Sequence, residues 1–421
     1  MLAMSYWLFS LGLLSLVFTL MALYPARRLG FFMPLYFFSS LLQGELAPWH
    51  LLLQMPLALW MANSGGLESL YGQLGLVFYV LSWLGLVLVI IRAKGSEKTL
   101  EGALVEGLGQ NYLATIDSTR LPLVNAPLKL SHWLMPFKFS RKGVKCQYNI
   151  AYGEAGKRNL LDVYYPESEA DKLRPVLIQI HGGAWIIGHK QQQAMPLIHH
   201  LVSRGWVCVS INYRLSPKEK FPAHIIDVKK AIAWTKKNIA EYGGDANFVC
   251  LTGGSAGGHL SSLAAVTANA AEFQPGFEDS DTTVQAAVPF YGVYDWVDKD
   301  GWRLGTDMQD MLIKYVMPEN TQRGDAVWEH SSPLYQAGSH ANIPPMYLIH
   351  GDNDCLAWVE DARFMTAKLK QVSDQAVAYA ELHGAQHAFE IFHSLRTDIT
   401  TRSIIKFLEW TYANHLANNK R

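Results

Sequence analysis

Between a short apolar run, Asn247–Thr252, and a helix-like stretch, Ala256–Ala271, the chain reads Gly253-Gly254-Ser255-Ala256-Gly257. A strand that turns sharply into a helix through a serine holds the hydroxyl clear of the backbone, and the flanking glycines let neighbouring backbone approach closely. The pattern G-x-S-x-G is short, so the segments around it decide what it means.

Upstream, the buried-strand pattern Val176–Ile180 runs into His181-Gly182-Gly183-Ala184-Trp185. A glycine loop of this kind can aim backbone N–H groups at a developing oxyanion, so Gly182 and Gly183, together with Ala256 after the serine, are the expected donors. Downstream, the apolar strand Met346–Ile349 leads into His350-Gly351-Asp352-Asn353-Asp354. A third strand, Ala376–Leu382, opens into His383-Gly384-Ala385-Gln386-His387-Ala388-Phe389. Ser255 is the candidate nucleophile, and an unassisted hydroxyl needs a base to take its proton. His387 and His383 are the candidate bases, with Asp354 or Asp352 to orient the imidazole. The two histidines are four residues apart but lack the helical context and glutamate of an H-E-x-x-H zinc site, so no metal is expected. The chain order Ser, Asp, His is that of the α/β-hydrolases and not of the two common serine-protease families.

In these segments (HGGAW at 181–185, GGSAGGH at 253–259, HGDND at 350–354 and QHAF at 386–389) the sequence resembles the hormone-sensitive-lipase-type carboxylesterases. The branch it looks most like includes isoprenylcysteine methylesterases and arylformamidase-like enzymes. The resemblance spans residues 145–415 and implies specific roles. His387 becomes the base, because the family histidine precedes a small residue and an aromatic. Asp354 becomes the acid, at the family's position ahead of an apolar residue, here Leu356 after Cys355. Many members carry Asp where this chain has Gly254, so their substrates do not transfer. Residues ahead of the first strand contribute to a cap in that family, which makes 93–143 a linker and cap.

The rest of the region from 144 to 421 alternates strand and helix: an antiparallel opening pair at Gln147–Gly153 and Leu160–Tyr165, then Val176–Ile180, Val207–Ile211, Phe248–Leu251, Val284–Pro289, Met346–Ile349 and Val377–Leu382 with helices between. This rhythm predicts an α/β-hydrolase fold, a mostly parallel sheet with helices on both faces, and a site beyond the carboxyl ends of the strands.

Residues 1–92 are different in kind: they carry almost no charge. Tyr6–Tyr24 and Tyr71–Ile91 are each long enough to cross a bilayer, and Phe31–Met61 between them is apolar but broken by Pro34, Gln43-Gly44-Glu45, Pro48 and Pro56, as a long tilted span, a kinked span or a re-entrant pair would be. Arg27-Arg28 follow the first segment and Arg92, Lys94 and Lys98 the last, whereas the loop at 63–68 has no Lys or Arg. The positive-inside rule then predicts an all-α transmembrane domain with three crossings and a cytoplasmic hydrolase. All the candidate catalytic groups lie beyond residue 180, so a soluble truncation that lacks 1–92 but keeps 97–143 is expected to retain its chemistry on short esters, and to lose much more on long-chain or bilayer-embedded esters if the membrane segments deliver substrate. The 36 basic and 36 acidic residues balance, and nothing suggests nucleic acid. Four scattered cysteines fit no zinc or disulfide framework.

The expectation is a multi-pass, membrane-anchored serine carboxylester hydrolase that needs no cofactor and acts through an acyl-enzyme on a small-molecule or lipid ester. The alternatives are an amidase, formamidase or lipid or glycan deacetylase using the same triad, and a non-catalytic hydrolase-fold binding protein.

Overall fold

The computed structural model describes residues 2–124, 133–139, 142–169, 172–303, 308–340 and 342–419. Eight strands form one sheet: β1 (Val144–Ala151), β2 (Leu160–Pro166), β3 (Arg174–Ile180), β4 (Val207–Ile211), β5 (Gly244–Gly254), β6 (Ala286–Phe290), β7 (Met346–Gly351) and β8 (Val377–Leu382), in the order β1-β2-β4-β3-β5-β6-β7-β8. β1 and β2 pair antiparallel, as does β2 with β4, and every later pair is parallel.

The central strands are buried on both faces, which is why they read as unbroken apolar runs rather than alternating ones. Val176, Ile178 and Ile180 of β3 point into one core with Val209 and Leu251, while Leu177 points into the other with Cys208, Phe248 and Cys250. In register, Ile180 lies beside Gly253 and Gly351 beside Leu382, so the loops after β3, β5, β7 and β8 emerge at one edge. The fold class expected from the sequence is the one observed.

The N-terminal region forms four helices, α1 (Leu2–Leu23), α2 (Met33–Glu45), α3 (Ala47–Met61) and α4 (Leu70–Leu108). α1 and α4 run parallel. Tyr6 meets Tyr71 with ring centroids 5.2 Å apart, Thr19 Oγ1 lies 2.8 Å from Ser82 Oγ, and Arg92 Nη1 donates to Leu23 O at 2.9 Å. Between these contacts Gly12 and Gly75 bring the two backbones together, leaving no room for a Cβ at either. α3 runs back the other way: Ala47 at its start packs with Ala22, Leu86 and Val89, and Ala58 and Met61 near its end pack with Leu8 and Tyr79.

The middle segment is therefore split at Leu46 into two helices with separate tasks. Pro34 and Pro48 each sit in the first turn of a helix, where a missing N–H costs nothing, so they start α2 and α3 and do not kink one long span. α1 and α4 are long and apolar enough to cross a bilayer, and most of their apolar residues are not buried. Leucines such as Leu14 and Leu20 of α1 and Leu81 and Leu84 of α4 face outward.

α4 does not stop at the basic cluster. It continues to Leu108, with Leu100, Ala103 and Leu104 buried in the second core and Gly107 against Ala378 of β8. The region expected as a linker from residue 93 thus begins as a rigid helix that belongs to the hydrolase's outer layer. Of residues 128–139 in the segment expected as cap, 128–132 lie outside the described residues. The remainder lies over the loop after β8, with Phe137 on Phe392, Phe139 on His393, and Pro136 O accepting from His393 N–H at 2.9 Å.

Candidate active site

β5 ends in a turn at Ser255, and the helix Ala256–Val266 starts immediately after it. Ser255 has φ 59° and ψ −120°, a conformation that L residues avoid and that surrounding structure must enforce. The enforcement is visible. Ser255 N–H donates to Phe290 O at 3.0 Å, and Gly257 packs against the carbonyl of Ile180 so closely that a Cβ could not fit.

Gly254 has its own reason. A Cβ there would lie 2.6 Å from Tyr291 Oη and 2.9 Å from its ring. Tyr291 is buried, its ring centroid lies 4.5 Å from that of His387, and its hydroxyl donates to Glu390. The departure noted in the sequence at Gly254 is thus the space that Tyr291 fills between the elbow and the histidine.

Two acid–histidine pairs form in the loops after β7 and β8. Asp352 Oδ2 lies 2.7 Å from His383 Nδ1, on the surface, with Asp352 Oδ1 capping Gly384 N–H. Asp354 Oδ2 lies 2.6 Å from His387 Nδ1, and there the acid is buried and the histidine 6% exposed. Asp354 Oδ1 accepts from the N–H groups of Leu356 and Ala357, and His350 Nε2 stands 3.3 Å from Oδ2. Burial alone would raise the Asp354 carboxyl, but His387 and His350 outweigh it and hold the group well below the usual carboxylate range.

The glycine loop after β3 packs against the elbow: a Cβ built on Gly182 would lie 3.1 Å from that of Ser255. Of the three expected donors, however, Gly182 is already engaged, giving its N–H to Gln193 Oε1 at 2.6 Å. Gly183 has φ +115° and its carbonyl accepts from Ile186 and Ile187, a tight turn that only glycine adopts easily. His181 stacks on Tyr213 with centroids 4.3 Å apart and its Nδ1 lies 2.7 Å from Gly182 O. Burial pulls its pKa down to about 4, so it is neutral at pH 7 and shapes the loop. Trp185 is core, donating to His259 Nδ1, whose Nε2 bonds Ser331 O behind the elbow.

The structure therefore gathers the Ser255 elbow, the His387–Asp354 pair and the glycine loop at one edge of the sheet and leaves Asp352 and His383 outside. Residues that sequence reasoning missed are Tyr291, His350, Gln193, Asn353, Gln386 and, from α2, Ser40 and Tyr36. Asn353 and Gln386 were in plain view beside the acid and the base, but nothing in the chain marks their partners.

A single eight-stranded sheet with a strained serine turn and a buried acid–histidine pair defines an α/β-hydrolase of the serine esterase type. The BD-FAE family matches residues 161–369. The chain is 40% identical over 380 residues to the probable carboxylic ester hydrolase LipM of Mycobacterium tuberculosis, covering 87% of this chain and 86% of that one, and it belongs to that family of carboxylic ester hydrolases. It is also 28% identical to the isoprenylcysteine alpha-carbonyl methylesterase ICME of Arabidopsis thaliana over 54% of this chain and 53% of the relative. Among solved structures, esterase B of Lactobacillus rhamnosis shares the fold with a TM-score of 0.55 at 20% identity, covering 78% of this chain and 100% of the esterase.

Proposed function

We propose that this protein is a serine carboxylester hydrolase held in a membrane by its N-terminal helices, acting through an acyl-enzyme on a small or lipophilic ester, with the hydrolase domain on the cytoplasmic face. The observation that carries the reading is the buried His387–Asp354 pair, joined through Tyr291 to the strained turn that presents Ser255. Ser255 Oγ attacks the ester carbonyl as His387 takes its proton, and the new oxyanion faces the N–H groups of Gly183 and Ala256. Collapse expels the alcohol, protonated by His387, and leaves the acyl group on Ser255. The same imidazole then draws a proton from water, which adds to the acyl carbon. The carboxylic acid departs as Ser255 regains its proton. Asp354 holds the imidazole in the required tautomer and balances its charge in both halves.

Membrane anchoring is supported by the outward-facing leucines of α1 and α4, by the glycine-lined contact between them and by the Thr19–Ser82 hydrogen bond inside it, a mode of packing suited to helices in lipid. Arg27, Arg28 and Arg92 lie at the hydrolase end of the bundle, where Arg27 pairs with Glu360 and Arg92 with Leu23 O. Basic residues at that end favour a cytoplasmic hydrolase.

The test is Ser255→Ala in the full-length protein in detergent. Labelling by a serine-directed fluorophosphonate should vanish, and p-nitrophenyl ester turnover should fall by about 10³-fold or more. Turnover above roughly a tenth of wild type in folded protein would overturn the assignment.

A further inference from the structure

The residue before the candidate acid is Asn353 and the residue before the candidate base is Gln386, and both are buried against the N-terminal helices. Asn353 Nδ2 donates to Ala22 O of α1 at 3.0 Å and reaches Ser40 Oγ of α2 at 3.4 Å. Gln386 Nε2 donates to the same Ser40 Oγ at 3.2 Å. One hydroxyl on α2 therefore accepts from both residues that flank the acid–base pair. The Asn353 amide cannot be turned over without setting its oxygen against the Ala22 carbonyl, so its orientation is fixed.

The other end of the Gln386 amide points into the site, whereas that of Asn353 stays among the N-terminal helices. Gln386 Oε1 accepts from His387 N–H at 2.9 Å and from Cys355 N–H at 3.0 Å, strapping the base loop to the residue after Asp354. Asn353 Oδ1 lies 3.3 Å from Tyr36 Oη, whose own proton goes to Tyr24 O at 2.7 Å while it accepts Ala26 N–H. Phe37, the next residue of α2, sets its ring edge toward His387 with centroids 6.4 Å apart.

We propose that the N-terminal helices are part of the active site, and that Ser40 is a positioning residue that sets Asp354 and His387 through Asn353 and Gln386. This rests on Asp354 and His387 being the acid and the base. The alternative role for the same bonds is to hold two domains together with no effect on the chemistry. The two roles predict different kinetics. A misplacement of 1 Å at a catalytic group can cost about 100-fold in rate, without any contact to substrate being lost.

The experiment compares Ser40→Ala, Ser40→Thr, Asn353→Ala and Asp354→Asn in the full-length protein, in one detergent, with a short soluble p-nitrophenyl ester. Active sites are counted by fluorophosphonate titration so that rates refer to folded enzyme. Ser40→Ala should lower kcat by about 10- to 100-fold with KM near wild type. The acidic limb of its kcat–pH profile should move to lower pH, because a loosened carboxylate stabilises the imidazolium less. Ser40→Thr keeps a hydroxyl and should restore both. If Ser40→Ala is too unstable to assay, Asn353→Ala removes the other bond to the same hydroxyl, next to the acid, and should lower kcat and shift the acidic limb in the same direction. Wild-type kcat and an unmoved acidic limb per titrated site, in Ser40→Ala or in Asn353→Ala, would overturn the proposal. Asp354→Asn separates this from the reading beneath it. If that variant turns over normally, the acid assignment falls and the proposal with it. If it is crippled while Ser40→Ala is not, only the positioning role is lost.

Discussion

A carboxylate 2.6–2.7 Å from an imidazole has different consequences at the surface and in the core. Asp352 and His383 form such a pair in water, where the charge is screened and the bond contributes little. Asp354 and His387 form theirs in the buried wall of the site, with backbone N–H groups on the second oxygen of the acid. Asp354→Asn should therefore lower turnover by about 10²- to 10⁴-fold, because an amide favours the wrong tautomer and cannot balance the imidazolium. Asp352→Asn should change it by only a few-fold, with both variants checked for native circular dichroism. A reversed order of losses would place the acid at 352. Motif order alone narrows the acid and the base to two residues each, and the family resemblance selects within them. What no motif carries is the packing that explains Gly254. Its need for a bare Cα comes from Tyr291, a residue in a different strand–loop unit. Ser40 was hidden for the same reason: its partners Asn353 and Gln386 are 313 and 346 residues away in sequence.

Elements were legible wherever burial imposes a pattern on the chain. The strands after β2 have both faces covered, so their apolar runs mark them; most observed bounds fall close to the expected ones, but β5 runs from Gly244 to Gly254, well beyond the expected Phe248–Leu251. Two elements were misread, each for a physical reason. The prolines of the middle segment look like breaks in a span, but two of them are first-turn residues that begin separate helices. The boundary at residue 92 looks like a domain end because composition changes there, yet nothing caps the helix until Gly109, and α4 runs on. The directions of the helices carry a prediction. Since α1 and α4 are parallel and α3 returns between them, the N-terminus and the hydrolase lie at opposite ends of the bundle. If the bundle spans a membrane, a reporter joined to the C-terminus should behave as cytoplasmic: a fluorescent protein should light up and alkaline phosphatase should stay inactive. An active phosphatase at that position would show that the bundle is inserted the other way or does not span.

On the scale of the whole molecule, the N-terminal helices and the hydrolase share one interior. Besides the Ser40 junction, Glu45 at the end of α2 forms an ion pair with Arg396 of the helix Leu395–Asn418, both side chains 1% exposed, and Ser394 Oγ donates to the same carboxylate at 2.6 Å. Buried pairs of this kind are weak evidence of net stability, but breaking one side is costly because the remaining charge is stranded. Glu45→Leu should thus destabilise the full-length protein by about 3–5 kcal/mol, lowering the midpoint of thermal unfolding by roughly 5 °C or more. Esterase activity, which depends on the hydrolase alone if the helices are only a tether, should be lost in the same transition. Adding Arg396→Met removes the stranded charge and should recover most of the loss, even though the pair is then gone altogether. Unfolding in detergent, followed by both tryptophan fluorescence and residual ester hydrolysis, reads the two together. Should Glu45→Leu unfold like wild type, or should the second substitution bring no recovery, the ion pair does not couple α2 to the hydrolase. The shared interior would then rest on the amides of Asn353 and Gln386 and on contacts such as Arg27–Glu360 and Phe37–His387.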